Sequence, residues 1–227
     1  MGRSDAYQRD VDTLAAELER VEAVFRGLSD DEWTMSTKLV PLDTDKAHWT
    51  VFELAGHFDI SIGLTRMLIA DIQEGQPGRD RTSFFIFPRS EVAPVVYDYA
   101  FTMVEGKTPA EMPDVLHETF SKTIEESRAT PPEAIGPGYY ALMQLGEFVP
   151  SRVLEAVVHG LDLTDALGRD TIATPDGIAI TAAILDDLLA RRTVPGRPAD
   201  LLDDDLAWIR AASGRGEHPD PRLPLIG

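Results

Sequence analysis

The stretch SRVLEAVVHGLDLTDALGRD, residues 151–170, has the residue spacing of a helix with two different faces. Its apolar residues recur at steps of three and four, the period of an α-helix: Leu154, Val157, Val158 and Leu161. Steps of three, four and three also align polar side chains in one row: Arg152, Glu155, His159 and Asp162. Such a row is either a solvated stripe of paired charges or the wall of a site.

The same helical pattern extends outward from this stretch along most of the chain. The quoted helix is predicted to begin near Leu145 and to end at Gly168. A capping box with a proline at the first helical position, Thr108-Pro109 with Glu111, predicts the start of another helix. With the remaining periodic segments, the predicted helices cover residues 4–27, 49–74, 108–128, 145–168, 175–192 and 201–212.

The segments between these helices are less regular. Residues 76–90 form an irregular connection that contains the aromatic run 84–87, and residues 90–105 form a weaker helix interrupted by Pro94. The tail from Gly214, rich in proline and glycine, is expected on the surface. Since no alternating strand pattern stands out, we predict an all-α protein: a four-helix bundle with two additional C-terminal helices.

Composition limits the classes of partner. The 227 residues include no cysteine, which excludes disulfides, thiolate metal ligands and a cysteine nucleophile. The formal net charge of -18 disfavours nucleic acid and anionic membrane surfaces as partners. No apolar run reaches the length of a membrane span, and the N-terminal residues are polar. We therefore expect a soluble cytoplasmic protein, a monomer or homodimer, that acts on a small-molecule substrate.

A second histidine strengthens the site hypothesis. On the helix over 49–74, His57 lies in an apolar row with Leu54 and Leu64, so it is expected to point into the bundle. A lone histidine there is more often a core residue that hydrogen-bonds a neighbour. Two histidines and a glutamate on facing helices, however, can supply three ligands to a metal and leave coordination positions open.

Three further polar residues accompany these ligands. Glu53, four residues before His57, either orients that imidazole or favours the helix dipole in the first turn. Asp162 has the same two readings relative to His159. Arg152 is placed to position Glu155 or an anionic substrate.

Two sequence blocks resemble a known family. The segments WTVFELAGHF at 49–58 and RVLEAVVHGLDLTDALGR at 152–169 are similar to the signature blocks of the mycothiol-dependent maleylpyruvate isomerase N-terminal domain, in the DinB-like superfamily. LSDDEW at 28–33 also fits, and the likeness covers roughly residues 5–170. The resemblance implies a DinB-like metal-binding bundle over 1–170 and a helical C-terminal extension over 171–227, packed on it.

In that family a divalent metal, usually zinc, is held by residues that correspond to His57, Glu155 and His159. The resemblance therefore implies a metalloenzyme that uses an external low-molecular-weight thiol such as mycothiol for isomerisation or S-transfer. The chain departs from the family in two ways, the absence of a separate C-terminal domain and an excess of aromatic residues. These departures suggest a larger and more apolar substrate. The aromatic residues are the 84–87 run, Tyr97, Tyr99, Tyr139 and Tyr140.

Two alternatives remain open at this point. One is a thiol-independent metalloenzyme that catalyses hydrolysis, dehydration or cyclisation in secondary metabolism. The other is a non-catalytic relative that uses the metal for stability or for small-molecule binding.

Overall fold

The computed structural model describes residues 3–39, 41, 43 and 45–226, with Arg3 described only in its backbone. Four long helices form a bundle: α1 (Arg3–Arg26), α3 (Val51–Ala70), α5 (Met112–Ala129) and α6 (Leu145–Leu167). Both α1 and α3 pack between α5 and α6, so the four helices close into a ring. The predicted all-α bundle is confirmed, including the contact between α3 and α6, the two helices that carry the candidate ligands.

Local signals explain where these helices begin and end. Thr50 is the N-cap of α3, and its hydroxyl accepts a hydrogen bond from the backbone N–H of Phe52. The backbone N–H of Thr50 in turn donates to the carboxylate of Glu53, which completes a capping box. The helix α6 ends at Leu167 and is capped by Gly168, whose φ of 63° is in the left-handed region that favours glycine. Each helix then buries its apolar stripe in one continuous core.

The remaining helices cover the bundle: α2 (Asp30–Trp33), α4 (Arg89–Val104), α7 (Pro175–Arg192) and α8 (Asp205–Ala212). The helix α4 packs on α3, α7 packs on α6, and α8 packs on α7. The contact between α3 and α4 is close, because a Cβ added at Gly56 would lie 2.6 Å from the carbonyl oxygen of Ala100. The division of the chain at residue 170 stays a prediction.

Several predicted boundaries were wrong by a few residues. The helix α3 ends at Ala70 rather than near 74, because the chain turns away and the N–H of Gln73 donates to the carbonyl of Ile135 at 2.9 Å. Thr108 and Glu111 do form the predicted hydrogen bonds, both 2.7 Å, but they close a turn before α5 begins at Met112. The helix predicted from 201 begins only at Asp205, after a 3₁₀ turn over Ala199–Leu201.

Two other features differ from the prediction. A short antiparallel hairpin, β1 (Ile135–Pro137) and β2 (Leu142–Gln144), lies against α3; strands of three residues are too short to show an alternating pattern. The tail returns to the core, since the backbone N–H of Leu225 donates to Ala212 at 2.7 Å and the Leu225 side chain is buried. Within the described residues, no helix is long and apolar enough to cross a membrane.

Candidate metal centre

Three candidate ligand atoms meet between α3 and α6. The Nε2 atom of His57 lies 3.0 Å from Nε2 of His159 and 3.5 Å from Oε2 of Glu155. The remaining distance, from Nε2 of His159 to Oε2 of Glu155, is 3.3 Å. All three side chains are mostly buried. The polar row of α6 is therefore the wall of an interior cluster, and not a solvated stripe.

The size of this triangle fits a small divalent metal. Zinc bonds to nitrogen and oxygen are about 2.0–2.1 Å, so two ligands of a tetrahedral ion are about 3.3 Å apart. The three edges, 3.0, 3.3 and 3.5 Å, bracket that separation. Two imidazole nitrogens and one carboxylate oxygen form a donor set suited to zinc and related divalent ions. Three protein ligands on one face leave a fourth position open.

The Nδ1 atom of His159 contacts a carboxylate that is itself paired with an arginine. This Nδ1 lies 2.8 Å from Oδ2 of Asp162, and Asp162 in turn accepts two hydrogen bonds from Arg215, at 3.0 and 2.7 Å. Asp162 is 3% exposed. The arrangement directs the Nδ1–H of His159 towards the carboxylate and leaves Nε2 to face the other two ligand atoms. Metal-binding histidines are commonly oriented in this way.

His57 has different surroundings. Its ring lies 5.1 Å from the ring of Trp49, and its Nδ1 is buried with no hydrogen-bonding partner in the described part of the chain. Burial, together with the neighbouring charge of His159, lowers the pKa of His57 to about 4. The imidazole is therefore neutral near pH 7, which is the form that binds a metal.

The electrostatics of Glu155 and His159 are coupled. Burial opposes the ionisation of Glu155, but the two imidazoles and the Arg152 guanidinium outweigh it and hold the pKa of Glu155 well below its usual value. Burial also opposes protonation of His159, and here Asp162 and Glu155 prevail and raise its pKa. For Asp162, the charge of Arg215 and the contact with His159 overcome burial and lower the pKa to about 2. Both carboxylates are thus ionised at neutral pH.

Of the two other predicted residues, Glu53 caps α3 and Arg152 lies beside Glu155. The carboxylate of Glu53 contacts the backbone and hydroxyl of Thr50, as a helix cap does. Arg152 is 1% exposed, and its Nη2 lies 4.0 Å from Oε1 of Glu155. Its guanidinium carbon lies 4.6 Å from the ring centres of both Phe84 and Phe148.

The triangle forms part of the wall of a large cavity. The cavity has a volume of about 760 Å³, within the usual range for small-molecule sites. Aromatic residues of the 84–87 segment, α4 and the hairpin turn line it: Phe84, Phe85, Phe87, Tyr97, Tyr99, Tyr139 and Tyr140. The aromatic residues that stood out in the sequence therefore converge on the candidate centre.

Comparison with known proteins agrees with the resemblance noted in the sequence. A family model described as the mycothiol maleylpyruvate isomerase N-terminal domain matches residues 14–164, well over half of the chain. The chain belongs to this family. Membership in the mycothiol maleylpyruvate isomerase N-terminal domain family agrees with the all-α, DinB-like bundle. Searches of the curated proteins and of the solved structures found no match.

Sequence reasoning missed one residue of the centre in this member of the mycothiol maleylpyruvate isomerase N-terminal domain family. Arg215 lies 53 positions after Asp162, in the segment that was expected on the surface, and its side chain is 10% exposed. It also lines the cavity. The sequence signal is only an arginine between two glycines, Gly214 and Gly216, which indicates a turn but no partner.

Proposed function

We propose that this protein is a metal-dependent enzyme that binds one divalent ion, most suitably zinc, through His57, Glu155 and His159. It uses an external low-molecular-weight thiol such as mycothiol for isomerisation or S-transfer on an electrophilic small molecule. The observation that carries the proposal is the triangle of Nε2, Nε2 and Oε2 atoms, with edges of 3.0–3.5 Å, on the wall of a 760 Å³ cavity. Family membership supports the choice of a thiol.

When bound, the metal would lower the pKa of the thiol and so present a thiolate to the substrate. Asp162 keeps the His159 proton on Nδ1, and Arg215 keeps Asp162 ionised and in place. The largely apolar walls place the reacting groups in surroundings of low polarity, where electrostatic interactions are stronger than in water. Because the chain has no cysteine, the thiol must come from outside the protein.

The reaction class follows from what happens after sulfur adds to carbon. Addition breaks the carbon–carbon π bond, forms the S–C bond and delivers the thiol proton to the neighbouring carbon, which completes an S-transfer. Addition to one carbon of a conjugated double bond, rotation about the resulting single bond and elimination of the same thiol give a cis–trans isomerisation.

The proposal also includes a cytoplasmic location for the protein. It keeps residues 1–170 as the metal-binding unit, with residues 171–227 packed on it.

Cobalt substitution tests the proposal directly. The protein is stripped of metal, loaded with Co²⁺ and titrated with mycothiol while its absorption spectrum is recorded. We expect one Co²⁺ per chain and a new thiolate-to-cobalt charge-transfer band as mycothiol binds. The S-methylated derivative, which cannot form a thiolate, is expected to give no band.

Two variants provide matched controls. His159→Ala removes a proposed ligand and is expected to lose the cobalt spectrum, whereas His117→Ala changes an exposed histidine paired with Glu22 and is expected to keep it. Cobalt binding without a thiolate band would reject the thiol and favour the thiol-independent metalloenzyme. Failure to bind any divalent ion would reject the metalloenzyme altogether.

A further inference from the structure

The floor of the aromatic cavity carries a positive charge that the protein only partly balances. Arg152 lines this cavity, yet its residue is 1% exposed. The nearest carboxylate oxygen, Oε1 of Glu155, is 4.0 Å from Nη2, beyond hydrogen-bonding distance. The other oxygen of Glu155, Oε2, faces the imidazoles of His57 and His159 at 3.5 and 3.3 Å, so the carboxylate charge is shared with them even without a metal. A buried cation whose charge is only partly balanced by the protein favours the binding of an additional anion nearby.

The hydrogen bonds of Arg152 leave donors for such an anion. Nε and Nη2 both donate to the hydroxyl of Ser151 at 3.2 Å, and Nη1 donates to the carbonyl of Ser61 at 3.0 Å. A guanidinium has five N–H groups, so two are without an acceptor among the described residues. Because these donors belong to a rigid, planar fork, they suit the two oxygens of a carboxylate or a similar anion.

Packing holds the guanidinium in one position. Its central carbon lies 4.6 Å from the ring centres of Phe84 and Phe148, within the range of cation–π contacts. The Phe84 ring also contacts Phe148, at 5.7 Å between ring centres. An anion that binds here therefore meets a preorganised donor and does not have to order a flexible side chain.

The rest of the cavity requires a different kind of group. Beyond Arg152 the walls are largely apolar and include many aromatic rings. Three of these rings remain partly exposed, which leaves them available to a ligand: Tyr99, Tyr139 and Tyr140. The cation at the mouth, Lys46, already pairs with Asp98 at 2.9 Å and lies over the ring of Tyr97. Arg89 also lines the cavity, but it is exposed, so water solvates its charge. Among the described cations of the lining, Arg152 is thus the buried one without a carboxylate within hydrogen-bonding distance, and most of the remaining lining is apolar.

We propose that the ligand of this cavity is an aromatic or otherwise largely apolar molecule with one anionic group, which is bound by Arg152. Arg152 precedes Glu155 by three positions on α6, about 5 Å along a helix axis, so the anion lies one turn from the candidate metal centre. The proposal deepens the proposed function, because it names the chemistry of the substrate for the same site. It does not depend on a metal for its test.

A matched pair of fluorescent probes tests the proposal on metal-free protein. 8-Anilinonaphthalene-1-sulfonate and N-phenyl-1-naphthylamine have the same aromatic body, and only the first carries an anionic group. The chain has a formal net charge of -18, so a general attraction for anions cannot explain a preference for the sulfonate. We expect the sulfonate to bind at least about 10-fold more tightly than the neutral probe. Because Trp49 lines the cavity, energy transfer from tryptophan to the bound sulfonate is expected to fall in Trp49→Phe.

Variants then assign the preference to one residue. Arg152→Met is expected to reduce binding of the sulfonate to the level of the neutral probe, whose own affinity stays unchanged. Arg66→Met, an equal charge change at a residue paired with Glu126 outside the cavity, is expected to alter neither. Arg152→Lys is expected to retain part of the preference, because it retains the charge.

Three results would overturn the proposal. One is equal affinity of the parent protein for both probes, a comparison that needs no variant to fold. The second is an equal loss of affinity for both probes in a folded Arg152→Met variant. The third is removal of the preference by Lys46→Met, which would place the anion at the mouth. Because the protein is metal-free throughout, none of these results bears on metal binding, and a failure to bind cobalt would not alter them.

Discussion

Arg215 and Asp162 are joined by two hydrogen bonds, from Nε to Oδ1 at 3.0 Å and from Nη2 to Oδ2 at 2.7 Å. The same carboxylate is 2.8 Å from Nδ1 of His159, so a residue of the tail acts on a candidate ligand through one intermediate side chain. The pair is nearly enclosed, with side-chain exposures of 10% and 3%.

The first prediction concerns this pair. Asp162→Asn and Arg215→Met are each expected to weaken zinc binding by about 10–100-fold without abolishing it, because they disturb the orientation of His159 and leave the three ligands in place. Competition with a chromophoric chelator measures the effect. Asp165→Asn is the matched control: Asp165 forms a similar pair with Arg210, at 2.7 and 2.8 Å, that does not contact the triangle. An equal loss in the control would mean that the effect is general destabilisation.

The second prediction concerns His159 itself. His159→Ala is expected to abolish both metal binding and turnover while the protein stays folded, because the core of α6 is built on other residues, among them Leu154, Val157 and Leu161. Metal analysis and circular dichroism check the two halves of this statement. A folded variant that binds zinc as tightly as the parent would exclude His159 as a ligand.

The third prediction compares two glycines of α3. A Cβ at Gly56 would lie 2.6 Å from the carbonyl oxygen of Ala100 in α4, so Gly56→Ala must displace that helix and is expected to lower the free energy of unfolding by about 1–3 kcal/mol. At Gly63 the nearest atom, Cγ2 of Thr119, is 3.6 Å away, an ordinary contact. Gly63→Ala is expected to be neutral or to stabilise by up to about 1 kcal/mol. Urea unfolding of both variants provides the measurement, and equal effects would refute the close packing of α3 and α4.

The fourth prediction concerns pH. Burial opposes ionisation of Asp80, but Arg191 and the N–H and O–H donors of Ser83 outweigh it and lower the pKa of Asp80. A lowered pKa in the folded state stabilises the protein above the unfolded-state pKa, about 3.9, and this contribution is lost as the pH falls further. Asp80→Asn is therefore expected to melt below the parent at pH 7, with a difference that narrows below about pH 4.

Calorimetric melting temperatures across this range check that expectation. Asp203→Asn, at an exposed residue before α8, is the control and is expected to follow the parent at every pH. A difference between Asp80→Asn and the parent that does not change between pH 7 and pH 3 would show that the aspartate acts through packing rather than charge.

The triangle was accessible from sequence because local spacing and the family resemblance of two sequence blocks pointed to the same three residues. Glu155 and His159 are four residues apart on one helix, and the apolar row around His57 predicts an inward direction before any contact is known. Arg215 was not accessible in this way. Its ion pair depends on the path of a nonhelical segment, and no periodic pattern reports where such a segment returns. The hairpin was missed for a related reason: each strand is three residues long.

The family model ends at residue 164, whereas the counter-charge of Asp162 lies at position 215. A hybrid gene that joined residues 14–164 of this chain to the ending of a distant relative would inherit the carboxylate without its guanidinium. Removal of one partner from a buried pair commonly costs about 3–5 kcal/mol. Asp162 and Arg215 are therefore expected to covary in evolution. The sequence of the tail is thus constrained by a residue that lies within the part of the chain matched by the family model.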